Sequence, residues 1–251
     1  MKKHISYSEL KTWDECAYKH KLVYIDEIKK FLGSEHTAFG TAVHEVCEKS
    51  VLGEIALDYE SLNKCFDNKF LEEVTYLAKN NVEIDKKLIK DMRVQSRNLL
   101  EHIIPELKNH FGEYEVVAAE EKLYEPVEGS KKLYKGFIDL VLKTKDGKYH
   151  VIDWKTCSWG WDSRRKNERI TTYQLAFYKH FYSQKHNINP EDIDTHFALL
   201  KRTAKTNKVE NSLKLLNKAV YNIENKKFVK NRLSCTARFG CEFYNTKHCS
   251  R

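Results

Sequence analysis

The sequence predicts an α/β protein: a central mixed β-sheet flanked by helices, with a helical N-terminal portion and a cysteine-bearing C-terminal tail. Three observations lead there. Residues 133–155, LYKGFIDLVLKTKDGKYHVIDWK, hold two runs of β-type residues joined by a short polar turn. Its Asp146-Gly147 favours a hairpin, because Gly tolerates positive φ and Asp bonds the local backbone. Apolar residues at helical spacing dominate the first hundred positions and return at 167–186. Further β-type runs lie at 114–127 and 195–202.

The chain of 251 residues is long enough for one large domain or two small ones. The expected division is a single domain over 1–251. Within it 1–112 are mainly helical, 113–205 form the core that carries the chemistry, and 206–251 hold a basic segment and the cysteine tail. A hydrophobic content of 41% with 12% aromatics argues for a globular protein. There is no apolar run near bilayer length, and MKKHISYSEL lacks the apolar stretch of a signal peptide. A cytoplasmic location with no membrane partner is therefore expected. Seven scattered cysteines, an odd number, suit a reducing compartment better than a disulfide framework. Net charge is +8, and residues 201–232 alone hold ten Lys/Arg against two acids. Charge concentrated in this way suggests a polyanion partner; the alternative is a solvated helical face.

Taken in order, Ser6-Tyr7-Ser8-Glu9 offers a capping box for a first helix. In that helix Leu10, Trp13, Ala17 and Lys21 form one row and Tyr18, Leu22 and Ile25 the next, with Cys16 inside it. A second helix is expected over Thr37 to Val51, with Gly40 and His44 on one face. Interior Gly costs roughly 1 kcal/mol relative to Ala, which suggests a close approach there. A neutral imidazole one turn on can ligate a metal, although most lone helical histidines are satisfied polar groups. Leu62, Phe66, Phe70, Val74 and Leu77 make a core stripe over 59–80, and a long helix from Ile84 to Ile104 should end or kink before Pro105.

In the strand over Tyr114–Val127, one of Glu120 and Glu121 faces the same side as the later acids, and register decides which. Alternation then places Phe137, Asp139 and Val141 on one face of the next strand, with Ile138, Leu140 and Leu142 on the other. Val151, Asp153 and Lys155 share a face of the strand after it. Two carboxylates in apolar surroundings repel and are costly unless compensated, so a divalent cation is their natural partner. The alternative is a rim salt bridge between Asp153 and Lys155. Trp159 and Trp161 in the following loop can stack on bases if exposed, or serve only as core if buried. In the helix over 167–186, Gln174 and Tyr178 lie one turn apart and can reach a phosphate or a metal site, or act as boundary residues. A strand from Thr195 to Arg202, the basic segment and a helix from Leu213 to Ile223 complete the pattern.

With these residues in place, the chain resembles the PD-(D/E)XK nuclease superfamily, whose core is restriction-endonuclease-like. Within it, the chain looks like the branch of RecB-type nuclease domains and CRISPR-associated adaptation nucleases, often met in phages. SYSELKTWDECAYKHKL resembles that branch's N-terminal helix, and GTAVH its G-x-x-x-H box. Gly136-Phe137-Ile138-Asp139 resembles G-x-x-D, Asp153-Trp154-Lys155 the D-x-K signature, and Gln174-Leu175-Ala176-Phe177-Tyr178 the Q-x-x-x-Y box. Five short motifs in the family's order are far more specific than any one alone.

The resemblance implies that His44, Asp139, Asp153 and the carbonyl of Trp154 bind Mg²⁺ or Mn²⁺. It implies that Lys155 orients or deprotonates the attacking water, and that Gln174 and Tyr178 steady the phosphate and the lysine. Some relatives also join a cysteine of the first helix to three in the tail around a 4Fe–4S cluster. Here Cys16 with Cys235, Cys241 and Cys249 would supply that set; zinc or free thiols are the alternatives. Cys47, Cys65 and Cys157 read as buried small apolar residues. The implied activity is a metal-dependent DNA exonuclease acting on single- or double-stranded ends in recombination, repair or replication, possessing a helicase or recombination partner. The alternative is a DNA-end-binding accessory subunit of a recombination or CRISPR-adaptation complex.

Overall fold

The protein's computed structural model describes residues 3–27, 32–157, 161–162 and 168–201, and every structural statement here is of these. The order is β1 (His4–Ser6), α1 (Tyr7–Glu15), α2 (Ala17–His20) with a π-helical turn (Lys21–Ile25), α3 (Glu35–Val51), α4 (Tyr59–Lys79), α5 (Lys86–Leu100) and α6 (Ile103–Phe111). β2 (Tyr114–Pro126), β3 (Leu133–Thr144), β4 (Tyr149–Cys157), α7 (Arg169–His186) and β5 (Ile193–Lys201) follow. The five strands form one mixed sheet: β3 pairs antiparallel with both β2 and β4 and parallel with β1, and β4 pairs parallel with β5. This is the α/β architecture that the sequence predicts.

Helices pack on both faces of the sheet. On one side α3 lays down Ala38, Ala42, Val43, Val46 and Cys47 beside Leu140, Leu142, Ile152 and Trp154. Behind α3, the stripe Leu62, Phe66, Phe70 and Leu77 of α4 joins the same core, as do Met92 and Leu100 of α5. On the other side α7 packs Tyr178, Phe181 and Tyr182 onto Leu123, Tyr134, Ile138, Val141 and Val151. Among the described residues no helix is long and apolar enough to cross a membrane.

Several local expectations are corrected. The first helix is not continuous, because Cys16 adopts an extended conformation (φ −166°, ψ 114°) and ends α1 there. The rows expected to be buried are therefore not aligned, and Trp13 and Tyr18 are exposed. Ser6 does cap α1 by accepting from the amide of Glu9 at 3.3 Å, but the Glu9 carboxylate lies 2.9 Å from His20 Nε2 instead of reaching back. The helix expected up to Pro105 breaks earlier, after Leu100. Pro105 then falls in the first turn of α6, where its missing N–H has no helical acceptor to lose. Strict alternation in β3 also fails. Val141 joins Ile138 on the α7 side while Leu140 and Leu142 face α3, so the period slips at Asp139. That slip lies opposite Glu120 of β2, whose φ of +49° marks an irregularity in the facing strand. The helix expected at 213–223 lies outside the described residues.

Candidate active site

The site forms where two central strands part. β3 and β4 pair from Lys143↔Tyr149 to Leu140↔Ile152 and then separate, while β1 joins β3 further along at Leu133–Lys135. Asp139 and Asp153 are the first residues past the last pair. Separation leaves β4 amides without a β3 carbonyl, and Asp139 substitutes for one: its Oδ2 accepts from the Trp154 N–H at 2.6 Å. That bond orients the carboxylate. The Trp154 side chain itself is buried in the α3-side core.

α3 brings His44 against this carboxylate. The helix is anchored by Val43, Val46 and Cys47, all fully buried, and His44, next in the turn, points its Nδ1 to within 3.6 Å of Asp139 Oδ1. Gly40 does face β4, but a methyl group there would only touch Thr156 Oγ1 at 3.4 Å, so room alone does not demand glycine. Burial disfavours the charged His44 ring. The Asp139 carboxylate, with Asp153 behind it, outweighs that effect and raises the imidazole pKa.

Glu120 is the third member. One ligand atom each from His44, Glu120 and Asp139 lies within 4.8 Å of the others. This resolves the ambiguity that the sequence left between neighbouring acids: Glu121 turns to the opposite face and binds Lys185 Nζ at 2.7 Å and His186 Nε2 at 2.8 Å. Burial and the nearby Asp139 carboxylate both raise the pKa of Glu120. No pattern in the sequence separates the two glutamates; pairing across the strands does.

Asp153 lies on the α7 side and is only 2% exposed. Gln174 Nε2 donates to its Oδ1 at 2.7 Å and lies 3.0 Å from the hydroxyl of Tyr178. Lys155 Nζ forms an ion pair with Oδ2, an oxygen that receives no directed hydrogen bond among the described residues. Burial, opposed by Lys155 and reinforced by Asp139, pushes the Asp153 pKa up to about 6. Burial, aided by Asp153, also pushes the Tyr178 hydroxyl far up, so it remains neutral. The Lys155 ammonium also stands 5.8 Å over the ring of Phe197, and Trp161 packs on that same ring.

The predicted residues thus fall into two linked groups. His44 and Asp139 meet on the α3 side, joined there by Glu120. Asp153, Lys155, Gln174 and Tyr178 meet on the α7 side, and the Trp154 amide ties the groups together. Cys16 is exposed, Cys47 buried, Cys65 and Cys157 partly buried. Cys235, Cys241 and Cys249 lie outside the described residues, as does Trp159. A cavity of about 630 Å³ lies between α6 and β5, but of the predicted site residues it touches only Trp154, so volume does not mark the site.

One imidazole and hard carboxylate oxygens around a strand fork, with a lysine two positions past the second acid, define a hydrolytic centre of the divalent-metal class. A family model described as the PD-(D/E)XK nuclease superfamily matches residues 4–249, and the chain belongs to that superfamily of metal-dependent nucleases. No curated protein matches the chain.

Proposed function

We propose that this nuclease is a DNA exonuclease of the RecB-like branch, hydrolysing phosphodiester bonds at DNA ends in recombination, repair or replication. The observation that carries the reading is the buried Asp153 oxygen at the fork, paired among the described residues only with Lys155 and adjacent to a second acid held by the Trp154 amide. A buried carboxylate left in that condition suits a cation.

His44, Asp139 and Glu120, whose ligand atoms lie within 4.8 Å of one another, would hold Mg²⁺ or Mn²⁺, with Asp153 and the Trp154 carbonyl, which the family motif implies as ligands, approaching from the neighbouring group. The donor set fits: carboxylates suit Mg²⁺, and a single imidazole makes Mn²⁺ a good substitute. When bound, the ion supplies Lewis acidity toward the phosphate and lowers the pKa of a bound water. Asp153 accepts from Gln174 through Oδ1, which holds the carboxylate with Oδ2 toward Lys155. Lys155, beside Asp153, would orient the attacking water and offset charge building on the phosphate. Tyr178, neutral and packed beneath Gln174, keeps the amide from rotating.

The test is cleavage of end-labelled linear DNA and covalently closed circular DNA with and without Mn²⁺. Linear DNA should lose label and circles should persist. Asp153→Ala and Lys155→Ala should each lower turnover by at least a hundredfold while leaving DNA binding and the folded circular-dichroism spectrum unchanged. Wild-type turnover in either variant, or rapid loss of circles, contradicts the reading.

A further inference from the structure

We infer that the open face of β2 and β3 next to the acids is a binding track for a single DNA strand. This inference rests on the exonuclease reading and specifies the form of its substrate. The register is decisive. Leu123 pairs with Gly136 and both face α7, so the pairs on either side of them, Lys122↔Phe137 and Tyr124↔Lys135, point to the opposite face. That is the face of Glu120 and Asp139. Two rows therefore continue from the acids, about 7 Å apart at the rise of a strand.

Each row holds one lysine and one aromatic ring, and the order is reversed between them. Lys122 lies over the Tyr124 ring at 5.4 Å, and Lys135 over the Phe137 ring at 5.5 Å. His4 of β1 closes the far end, edge-on to Tyr124 with centroids 5.8 Å apart. Tyr124 is 39% exposed and Phe137 42%, although a sheet face built for packing would have buried both. Exposed flat rings offer stacking to unpaired bases, and adjacent ammonium groups offer charge to phosphates. Base pairs inside a duplex have no free face and a terminal pair has only one, whereas two rings set side by side on the sheet suit successive unpaired bases. The exposed rings thus favour a single strand, and charge complementarity and continuity with the acids set its scissile phosphate over Asp139.

The experiment measures affinity of the full-length protein in EDTA, where cleavage cannot interfere, for fluorescent oligothymidylate and for a blunt DNA hairpin. A Tyr124→Ala/Phe137→Ala variant should bind oligothymidylate about tenfold or more weakly, with little change for the hairpin. A Lys122→Ala/Lys135→Ala variant should lower the salt dependence of oligothymidylate binding by a slope of about 1.4. Both should keep the wild-type circular-dichroism spectrum and a single cooperative melt, since none of the four side chains belongs to the buried core. Wild-type affinity and slope in both variants overturn the inference. So does unchanged affinity with an altered oligomeric state, which assigns the face to a second copy of the chain. If the wild-type protein binds through this face but cleaves nothing in Mn²⁺, the exonuclease reading fails and the track stands. If cleavage is metal-dependent and both variants behave as wild type, the reverse holds.

Discussion

Asp153 is a carboxylate with almost no access to water, and the rest of the site follows from how the fold tolerates it. Its pKa, raised by burial to about 6, means that folding works against the anion. That penalty is fully present above the folded value and fades as pH falls toward the ordinary carboxylate range near ~4. In the metal-free protein this group should therefore add stability between pH 7 and pH 5, and Asp153→Asn should remove that gain; thermal melts of both across this range check it. Affinity for Mn²⁺ should move in the other direction and weaken as pH falls, because the proton that relieves burial competes for the ligand oxygen. Gly136 is a second residue whose role lies in space rather than charge. A methyl group there would meet the Tyr134 ring at 2.9 Å and the Tyr178 ring at 3.2 Å. Gly136→Ala should cost about 1–3 kcal/mol by overpacking. Because Tyr178 backs Gln174, it should also lower turnover, as melts and initial rates on one preparation would show.

Among the elements, α3 carries His44, and α4 and α5 hold α3 in place from behind. Asp67 of α4 joins them in a fork, accepting from Arg93 Nε at 2.9 Å and Nη2 at 2.7 Å, with Arg97 Nη2 at 3.2 Å. The Arg93 hydrogen bonds, against a burial effect, hold its pKa below the usual carboxylate value. Such a contribution is present above the unfolded pKa and is lost as pH falls through the lower folded one. Solvent screens the group, so Asp67→Ala should cost only about 1 kcal/mol. Urea midpoints at pH 7 should show this loss, and it should shrink as pH falls below the ordinary carboxylate value near ~4. The helix α4 was legible from the stripe Leu62, Phe66, Phe70, Val74 and Leu77, since a buried helical face requires that spacing, and α3 was expected over Thr37 to Val51. The break at Cys16 was not, because no Gly or Pro marks it and the backbone there turns extended without a local signal.

At the level of the molecule, the sheet brings together side chains from α3, β2, β3, β4 and α7 that are up to 134 residues apart, from His44 to Tyr178. A ligand that binds only this assembled set must stabilise the whole fold. Mn²⁺ at a hundred times its dissociation constant should add about 2.7 kcal/mol. The expected result is a melting temperature that rises with Mn²⁺, returns to the starting value with EDTA, and responds much less in His44→Ala. A rise of equal size in that variant would place the ion elsewhere.

The fold class, the hairpin of β3 and β4, the helical stripes and the identities of His44, Asp139, Asp153, Lys155, Gln174 and Tyr178 as candidates were written in the sequence by itself. Each depends on periodicity or on short motifs that neighbouring residues carry. Tertiary structure alone decided that Glu120 and not Glu121 stands beside His44, that Asp139 and Asp153 lie in two groups bridged by the Trp154 amide, and that Tyr124 and Phe137 remain open next to them. Those outcomes depend on register, on an irregularity in β2 and on the point where two strands separate. They are set by pairing between distant segments, which no local pattern encodes.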